Sequence, residues 1–565
     1  MAKSVGWRWA ALACLAALAG CGGGAGAAAA ATAAPADSFG LSADANFVTV
    51  DTGAGLVFKV RRHNRDGSSK GVGDITSMVY RGTEYQDARK GSQVNSGFDF
   101  LYKGVHDVAV DAALVDPDHV RITVQAGPLT HYYLAQRGQA KIYMGTWFAS
   151  EPDTLDLVRF IVRVPIGVLP HGPGPSDLRG TSGPIEAHDV FGMPNGETRS
   201  KHYSNQRLKD WSAIGATGPR AGVWIVRDNN EGNSGGPFYR SLLNQGTDTD
   251  QEITYIVNYG EAQTEPYRTG VLNAYTLVFT EGGPPDAIDT GWFAGMALKG
   301  YVAPAARGGV AGPAIGGRDP AWPYTVGFSN ATAQYWADAA AADGRFQSSG
   351  MLPGTYAMRV YKNELVVDSR SVTVQAGKTT VLDPIAVADD PSTVPAVWRI
   401  GEWDGTPAEF VNGDKLTTMH PSDVRMRPWA VADYVVGRSA PGTGFPACQW
   451  KDVNGSITVR FNLGADQVAD KVLRVGITTA FAGARPVVQL NQWTSPVPAA
   501  STQPSTRTLT TGTYRGNNTV FRFAIPASAF VAGENTLTLR VASGSGTTAY
   551  LSPGLAYDAI DLVAP

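Results

Sequence analysis

Phe47-Val48-Thr49-Val50 and Leu56-Val57-Phe58-Lys59-Val60 are alternating runs that decide the fold class of the first part of the chain. Successive side chains of a β-strand point to opposite faces of the sheet, so such runs predict antiparallel strands with one buried and one solvated face. Long amphipathic helical patterns are absent from the sequence around them, as far as Lys299. We therefore predict that residues 39–299 form a large β-sandwich.

The rest of the chain is predicted to be all-β as well. The 565 residues include 66 Gly and 35 Pro, a composition typical of β-domains with frequent turns. Residues 300–391 have the size of a small sandwich and end in a predicted linker, Asp389-Asp390-Pro391-Ser392. A third β-rich block of jelly-roll size follows at residues 394–565. The net charge of −3 gives no electrostatic footprint for nucleic acid, so we expect no nucleic-acid partner.

The N-terminus is predicted to direct export. Lys3 and Arg8 precede an apolar run that is too short to span a membrane, which indicates a signal peptide over residues 1–21. Its end, Leu18-Ala19-Gly20-Cys21, is similar to the bacterial lipobox, in which the cysteine becomes the lipidated first residue. The alternative is an ordinary secretory signal that is cut a little later. Residues 22–38 are rich in Gly and Ala and predict a flexible tether, so the protein would be anchored in the bacterial envelope by lipid, or secreted.

A lysine among polar and cationic groups marks the candidate site, Gly196-Glu197-Thr198-Arg199-Ser200-Lys201-His202-Tyr203-Ser204. Nearby cations disfavour the ammonium form of a lysine, and a lysine that becomes neutral can act as a general base. The alternative is that Arg199 and Lys201 are solvated surface charges. A second stretch, Gly232-Asn233-Ser234-Gly235-Gly236-Pro237, looks like the nucleophile motif of chymotrypsin-like proteases. The histidine base that such a serine needs does not occur here in its usual setting, so we interpret this stretch as a glycine-rich turn.

Ordered matches in all three blocks favour one family. They include Arg159-Phe160-Ile161-Val162-Arg163, Glu197-Thr198-Arg199-Ser200-Lys201, Ser234-Gly235-Gly236-Pro237-Phe238, Ile400-Gly401-Glu402-Trp403-Asp404-Gly405 and His420-Pro421-Ser422-Asp423. With these stretches the chain resembles the rhamnogalacturonan lyases of polysaccharide lyase family 4 over nearly all of its mature length. The resemblance implies a catalytic β-sandwich of the galactose-mutarotase type, a fibronectin-III-like domain at residues 300–391 and a jelly-roll similar to carbohydrate-binding modules at residues 394–565.

The family splits the bond from rhamnose to O4 of galacturonate by β-elimination, which implies rhamnogalacturonan I of pectin as the substrate. The reaction needs a neutralised uronate carboxylate, a base for the C5 proton and an acid for the departing O4. The resemblance makes Lys201 the catalytic base, and it makes Arg159, Arg163 and Arg507 the groups that bind the anionic substrate. Arg159 and Arg163 are four residues apart on a predicted strand and would share one face. The role of Arg507 implies that the third domain folds back over the cleft.

Glu261 departs from the family pattern. The family has a catalytic histidine in Asn-Ser-Gly-His before Gln-Thr-Glu, whereas this chain has Asn258-Tyr259-Gly260-Glu261-Ala262 before Gln263-Thr264-Glu265. Glu261 could pair with Lys201 and weaken it as a base, or it could be held protonated in an apolar pocket and act as the acid. Tyr259, on the same face of an extended segment, could also donate a proton. We therefore group Glu261 and Tyr259 with Lys201 as candidate catalytic residues.

No cofactor is required for this chemistry, but a structural calcium ion is a further prediction for the third block. Glu402 near its first strand and Asp561 in its last strand could be neighbours in a jelly-roll, and carboxylate oxygens suit Ca²⁺. An uncomplexed pair of edge charges is the alternative.

Three functions are open on the sequence alone. The first is a monomeric rhamnogalacturonan lyase, tethered to a membrane through a lipid on Cys21 or secreted. The second is a pectin-binding lipoprotein that has lost catalysis because Glu261 replaces the histidine. The third is a lyase for another uronate polysaccharide. An assay for the unsaturated uronate product on several polysaccharides separates the three.

Overall fold

The computed structural model describes residues 38–153, 158–258, 265–503, 507–513, 517–542 and 546–565. Three residues of the predicted sites, Cys21, Tyr259 and Glu261, lie outside these ranges. Residues from Phe39 onward belong to one compact unit. The all-β prediction is confirmed, since nearly all regular elements of the described part are strands. None of its helices is long and apolar enough to cross a membrane.

The alternating runs of the first block form antiparallel neighbours, Phe47–Asp51 and Leu56–Arg61, whose inward side chains are buried. The strands of this block, sheet by sheet in order of pairing, are Gly40–Ala43, Phe47–Asp51, Leu56–Arg61, Ile75–Tyr80 and Thr83–Glu84; Ala213–Thr217, Gly222–Arg227, Leu272–Thr280, Lys141–Phe148, Leu129–Gln136, His119–Ala126 and Ala109–Asp116; Asn244–Gly246, Asp250–Asn258, Val158–Pro165 and Gln93–Val94; Gly183–Glu186, Val190–Gly192 and Thr198–Ser200; and Gln206–Arg207 with Arg240–Ser241.

The second and third blocks are also built from small sheets. The strands of the second block are Phe346–Met351, Gly308–Gly312 and Thr379–Val381; Ile315–Gly316 with Ile385–Ala386; and Gln334–Asp338, Tyr324–Ser329, Gly354–Lys362 and Leu365–Val374. Those of the third block are Ala396–Gly401, Gly554–Val563, Lys471–Phe481 and Thr519–Ile525, with Cys448–Trp450 also on Gly554–Val563; and Tyr434–Val435, Ser456–Leu463, Gly533–Ala542, Arg485–Leu490 and Trp493–Thr494.

Helices in the described part are short. The α-helices are Pro441–Gly444 and Thr508–Thr511, and the 3-10 helices are Phe98–Phe100, Gly174–Ser176, Lys201–Ser204, Gly291–Gly295, Pro304–Ala306, Pro391–Thr393, Gly413–Lys415, Ala465–Gln467, Ala527–Ala529 and Ala549–Leu551.

The blocks are joined by buried contacts. The core of the second block includes Trp403 and Ala559 of the third block. The predicted linker is anchored as well, because the Lys362 ammonium lies 2.7 Å from both carboxylate oxygens of Asp390 and the two side chains are 1% and 2% exposed. Burial of a charged pair requires a well-fixed geometry. Arg474 of the third block donates to the Pro391 carbonyl at 2.8 Å, so the segment is bonded to both blocks.

Candidate functional site

Lys201 begins a 3-10 turn that ends at Ser204 and follows the strand Thr198–Ser200. The side chain of Ser200 accepts a hydrogen bond from the His202 amide at 3.2 Å, as expected of a serine that caps a turn. At the other end the Ser204 hydroxyl donates to the Lys201 carbonyl at 2.9 Å and accepts from two backbone amides of the first block. Both ends of the turn are therefore fixed, and with them the position from which the Lys201 side chain starts.

Asp189 is the partner of Lys201. The Lys201 ammonium lies 2.7 Å from Oδ1 of Asp189, and the two side chains are 28% and 20% exposed. Asp189 follows a tight turn in which Ala187 and His188 have φ angles of 47° and 54°, a left-handed conformation that costs energy for residues other than glycine. We predicted from sequence that cations surround Lys201, but its closest charged contact is this carboxylate.

Arg507 of the third block bonds the same carboxylate. Its guanidinium donates to Asp189 and, at 2.7 Å, to Oε1 of Glu186. Burial raises the pKa of Asp189, but hydrogen bonds from Lys201 and Arg507 outweigh burial and leave that pKa below its usual value. Asp189 is therefore a carboxylate shared by a lysine and an arginine from two blocks.

Glu186 extends the cluster into the interior. Its side chain is 2% exposed, and besides Arg507 it contacts Nε2 of His420 at 3.0 Å and accepts from the Thr510 hydroxyl at 3.0 Å. Burial raises the pKa of Glu186, and the bonds with His420, Arg507 and Thr510 reverse that effect and lower it overall. This buried carboxylate thus helps to hold the Arg507 guanidinium in place.

The seam between the first and third blocks continues beside the cluster. Both the amide and the hydroxyl of Thr198 donate to Asp423, at 2.7 and 2.8 Å. The Tyr203 hydroxyl donates to the Thr510 carbonyl at 2.7 Å, and the side chain of Asn205 donates to the Thr417 carbonyl at 2.6 Å. The third block therefore packs directly on the turn that carries Lys201.

His202 is a neutral imidazole inside this cluster. Burial, followed by the charges of Lys201, Arg507 and Arg159, lowers its pKa to about 3, and Asp189 opposes this only in part. Nδ1 of the ring is shielded and has no hydrogen-bond partner in the described part of the chain. Sequence reasoning did not select His202, although its place next to the predicted base was a usable signal.

Arg159 and Arg163 lie on the strand Val158–Pro165, opposite Ile256 and Glu252. Arg159 is half-buried and near enough to His202 to act on the pKa of that ring. Because a strand rises about 3.3 Å per residue, the backbone of Arg163 lies about 13 Å from that of Arg159 along the strand.

Arg163 has different surroundings. Its side chain is only 8% exposed. Its guanidinium lies 3.3 Å from the Glu252 carboxylate and donates to the Gly91 carbonyl at 2.8 Å. These contacts favour a structural role for Arg163, and substrate binding by Arg159 and Arg163 stays a prediction.

The predicted residues Tyr259 and Glu261 follow the strand Asp250–Asn258, which ends next to Val158. After them, Glu265 bonds the amide of Gly235. Gly235 and Gly236 have φ angles of 92° and 73°, so the protease-like stretch is indeed a glycine turn. A Cβ on Gly235 would lie 2.3 Å from the Tyr239 ring, which excludes other residues at this point.

The two predicted calcium ligands, Asp561 and Glu402, have different surroundings. Asp561 is fully buried and bonds Arg474 through both oxygens, at 2.7 and 2.6 Å, as well as Arg399 and the Trp403 indole. Glu402 is exposed at the end of the neighbouring strand. In the described part of the chain, no group of three or more His, Cys, Asp or Glu could hold a metal ion. Asp561 therefore belongs to an ion-pair network, and a calcium ion stays a prediction that these contacts do not support.

Three family profiles match successive parts of the chain. The profile described as "Rhamnogalacturonan lyase B, N-terminal" matches residues 39–300, and those described as "Polysaccharide lyase family 4, domain II" and "domain III" match residues 306–382 and 396–562. An all-β fold with these three parts, and with a lysine and an arginine gathered at one site, is that of a polysaccharide lyase.

Related proteins cover nearly the whole chain. "Probable rhamnogalacturonate lyase A" of Aspergillus clavatus is 39% identical over 530 residues, which are 93% of this chain and 96% of that protein. "Rhamnogalacturonate lyase A" of Emericella nidulans and of Aspergillus aculeatus are 38% and 37% identical over the same shares. The chain belongs to polysaccharide lyase family 4.

Proposed function

We propose that this protein is a rhamnogalacturonan lyase, which cleaves the bond from rhamnose to O4 of galacturonate in rhamnogalacturonan I by β-elimination. Family membership and the names of the relatives support the substrate class. The observation that carries the mechanism is the shared carboxylate of Asp189, which holds Lys201 and Arg507 at one place. Removal of a proton next to a carboxylate requires those two groups, a base and a cation that stabilises the enolate charge.

In the proposed reaction the amine of Lys201 takes the C5 proton of galacturonate. The electron pair of the C5–H bond forms the C4=C5 double bond, the C4–O4 bond breaks, and O4 leaves on the rhamnose after accepting a proton. Arg507 uses Nη1 and Nη2 once each for Glu186 and Asp189, so other N–H groups of its guanidinium can bind the uronate carboxylate. Arg159 supplies a second cation.

Asp189 holds the Lys201 side chain in place. Its Oδ1 lies 2.7 Å from the Lys201 Nζ, and Arg507 of the third block bonds the other oxygen of the same carboxylate. Asp189 is therefore a positioning residue, which fixes where the amine stands relative to the arginine.

The leaving O4 needs a proton donor, and the family's histidine is replaced by Glu261. We keep Glu261 and Tyr259 as proposed donors and add His202. A buried N–H without a partner costs more than a buried acceptor without one, so the proton of His202 belongs on Nε2 and Nδ1 keeps its lone pair. A neutral imidazole can then donate from Nε2 to the substrate, as a hydrogen bond to the carboxylate or to O4.

Product formation tests this proposal. Purified protein with rhamnogalacturonan I should release unsaturated uronate, seen as an increase in ultraviolet absorbance, whereas homogalacturonan should give none. Glu261 favours one competing function, a pectin-binding protein without activity. Binding of the polymer without any absorbance change would support that alternative, and product from another uronate polysaccharide alone would change the substrate.

We also propose export with lipid attachment at Cys21, action as a monomer, and no nucleic-acid partner. The lipobox-like Leu18-Ala19-Gly20-Cys21 supports the first of these. Mass spectrometry of the mature N-terminus checks it. A Cys21→Ser variant should leave the membrane fraction, and an unmodified N-terminus elsewhere would leave ordinary secretion.

A further inference from the structure

A cavity of about 500 Å³ lies between the first and second blocks and shares no residue with the Lys201 site. Residues 228–231 form part of its first-block wall, and Tyr301, Tyr335 and Trp336 are on the other side together with residues 347–350. Small-molecule sites have volumes of roughly 300–1,000 Å³. The cavity is thus large enough for a ligand.

Three neighbouring side chains of this wall have unused oxygen atoms. Oδ1 of Asp228, of Asn229 and of Asn230 is shielded from solvent and accepts no hydrogen bond in the described part of the chain. The Thr276 hydroxyl donates to the other oxygen of Asp228 at 2.8 Å. The side-chain NH2 of Asn229 donates to the Leu272 carbonyl at 3.0 Å, which fixes the orientation of that side-chain amide. Because shielded acceptors without partners cost stability, the wall would gain from a ligand that donates hydrogen bonds.

The other charged groups of the wall are already paired. Arg307 donates to Glu231 and to the carbonyls of Val302 and Gly350, and the Tyr335 hydroxyl donates to Glu231 at 2.9 Å. Burial raises the pKa of Asp228 to about 7. An anionic ligand would therefore meet unused acceptor oxygens and an arginine whose guanidinium is engaged, so the wall selects against carboxylates.

Aromatic rings form another part of the surface. Tyr301, Tyr335 and Trp336 are half-buried, and Phe293 is buried beneath them. The Arg227 guanidinium lies 5.8 Å from the Trp336 ring centre and helps to hold that ring. Aromatic faces offer apolar contact area to the C–H faces of sugar rings, and a few polar groups around them fix the hydroxyls.

We propose that this cavity binds an uncharged sugar unit, whose ring packs on Trp336 and whose hydroxyls donate to Asp228, Asn229 and Asn230. All three side chains line the cavity and are half-buried. A cation would also suit the oxygens, but the aromatic wall and the volume favour a sugar. In a polysaccharide lyase this site would hold neutral units of the polymer, such as rhamnose, apart from the cleavage site. That last role rests on the proposed function, whereas the binding itself does not.

Isothermal titration calorimetry of the full protein tests the proposal, with galactotetraose and rhamnose as neutral probes and tetragalacturonate and calcium chloride as comparisons. Galactotetraose or rhamnose should bind, and Asp228→Ala and Trp336→Ala should each weaken that binding at least tenfold. Asp338→Ala is the matched control, since Asp338 is another carboxylate that faces the first block, 2.8 Å from Lys209, but lies outside the cavity. It should bind as the wild type does, and thermal midpoints confirm that all variants fold.

Three outcomes would overturn the proposal. They are no binding of either neutral probe, neutral-sugar binding that both cavity variants retain, and calcium binding that disappears in Asp228→Ala while no sugar binds. The last outcome would assign the oxygens to a cation. Because the probes contain no uronate, the result does not depend on whether Lys201 catalyses elimination.

Discussion

Arg507→Ala removes the cation that the third block brings to the Lys201 site. The arginine bonds Glu186 at 2.7 Å and also Asp189, and its side chain is 30% exposed. Shielded hydrogen bonds between charged groups contribute roughly 1.5–3 kcal/mol each, and exposure reduces this, so the free energy of unfolding should fall by about 2 kcal/mol. Glu186 keeps His420 and Thr510 as partners, which limits the loss.

The effect of Arg507→Ala on catalysis should be larger. A cation that binds the uronate carboxylate while the enolate charge develops contributes about 3 kcal/mol to the transition state, so kcat/KM should fall roughly a hundredfold. The assay is the initial rate of ultraviolet absorbance on rhamnogalacturonan I. Arg507→Lys keeps the charge without the two-pronged geometry and should be intermediate.

Arg425→Ala is the matched control for Arg507→Ala. Arg425 belongs to the same seam, 2.7 Å from Asp423 and 3.4 Å from Glu197, with 39% of its side chain exposed. Its loss should affect stability but leave kcat/KM within about twofold, because its ion pairs are with Asp423 and Glu197 and not with a carboxylate that Lys201 bonds. Equal losses of activity in the two variants would show that Arg507 only holds the blocks together, and an unchanged kcat/KM in Arg507→Ala would refute its substrate role.

Three further changes test single contacts, each checked by product absorbance or urea unfolding. His202→Phe should lower kcat roughly a hundredfold, because it removes a neutral hydrogen-bond donor, and an unchanged kcat would contradict that role. Because the pKa of His202 is about 3, its titration should not affect the wild-type rate between pH 5 and 8. Arg163→Met should cost about 3 kcal/mol of unfolding free energy because Glu252 loses its cationic partner and keeps only the hydrogen bond from Gln245. The kcat should stay within about twofold, and lost activity in a stable variant would support the predicted substrate role. The pKa of Asp228, about 7, lies above its value in the unfolded chain, so the free energy of unfolding decreases as the pH rises from the unfolded value through 7. Asp228→Asn should therefore raise the free energy of unfolding by at most about 4 kcal/mol at pH 9 but by little at pH 4.5. Equal increases at both pH values would contradict this reasoning.

The fold was accessible from the sequence because alternation encodes burial directly. Val48 and Val50 of one run, and Leu56, Phe58 and Val60 of the next, are all buried in the core of the first block. Each strand carries that information in its own residues, independent of its partner.

The charge partners were not accessible in the same way. Asp189 meets Lys201 because the strands Val190–Gly192 and Thr198–Ser200 pair antiparallel, with Val190 opposite Ser200. Glu186 and Arg507 are 321 residues apart in sequence, and nothing local in either stretch marks the other. The sequence therefore predicts the lysine and the arginine as site residues, but it does not predict the carboxylates that join them.

Sequence also does not show which charges are buried. Arg163 is predicted to bind the substrate, and in the structure it lies against Glu252 of the neighbouring strand. Asp561 is predicted to bind a cation, and in the structure Arg474 bonds both of its oxygens. A buried charge needs an internal partner, and the partners come from strands that only the folded sheet brings together.

Lys201→Ala tests the central claim most directly, with product formation and polymer binding measured on the same preparation. Formation of unsaturated uronate from rhamnogalacturonan I should cease, because no amine remains to take the C5 proton. Affinity for the polymer should stay within about threefold of the wild type, since Arg159 and Arg507 still bind the carboxylate. A Lys201→Ala variant that forms product at the wild-type rate would contradict the account.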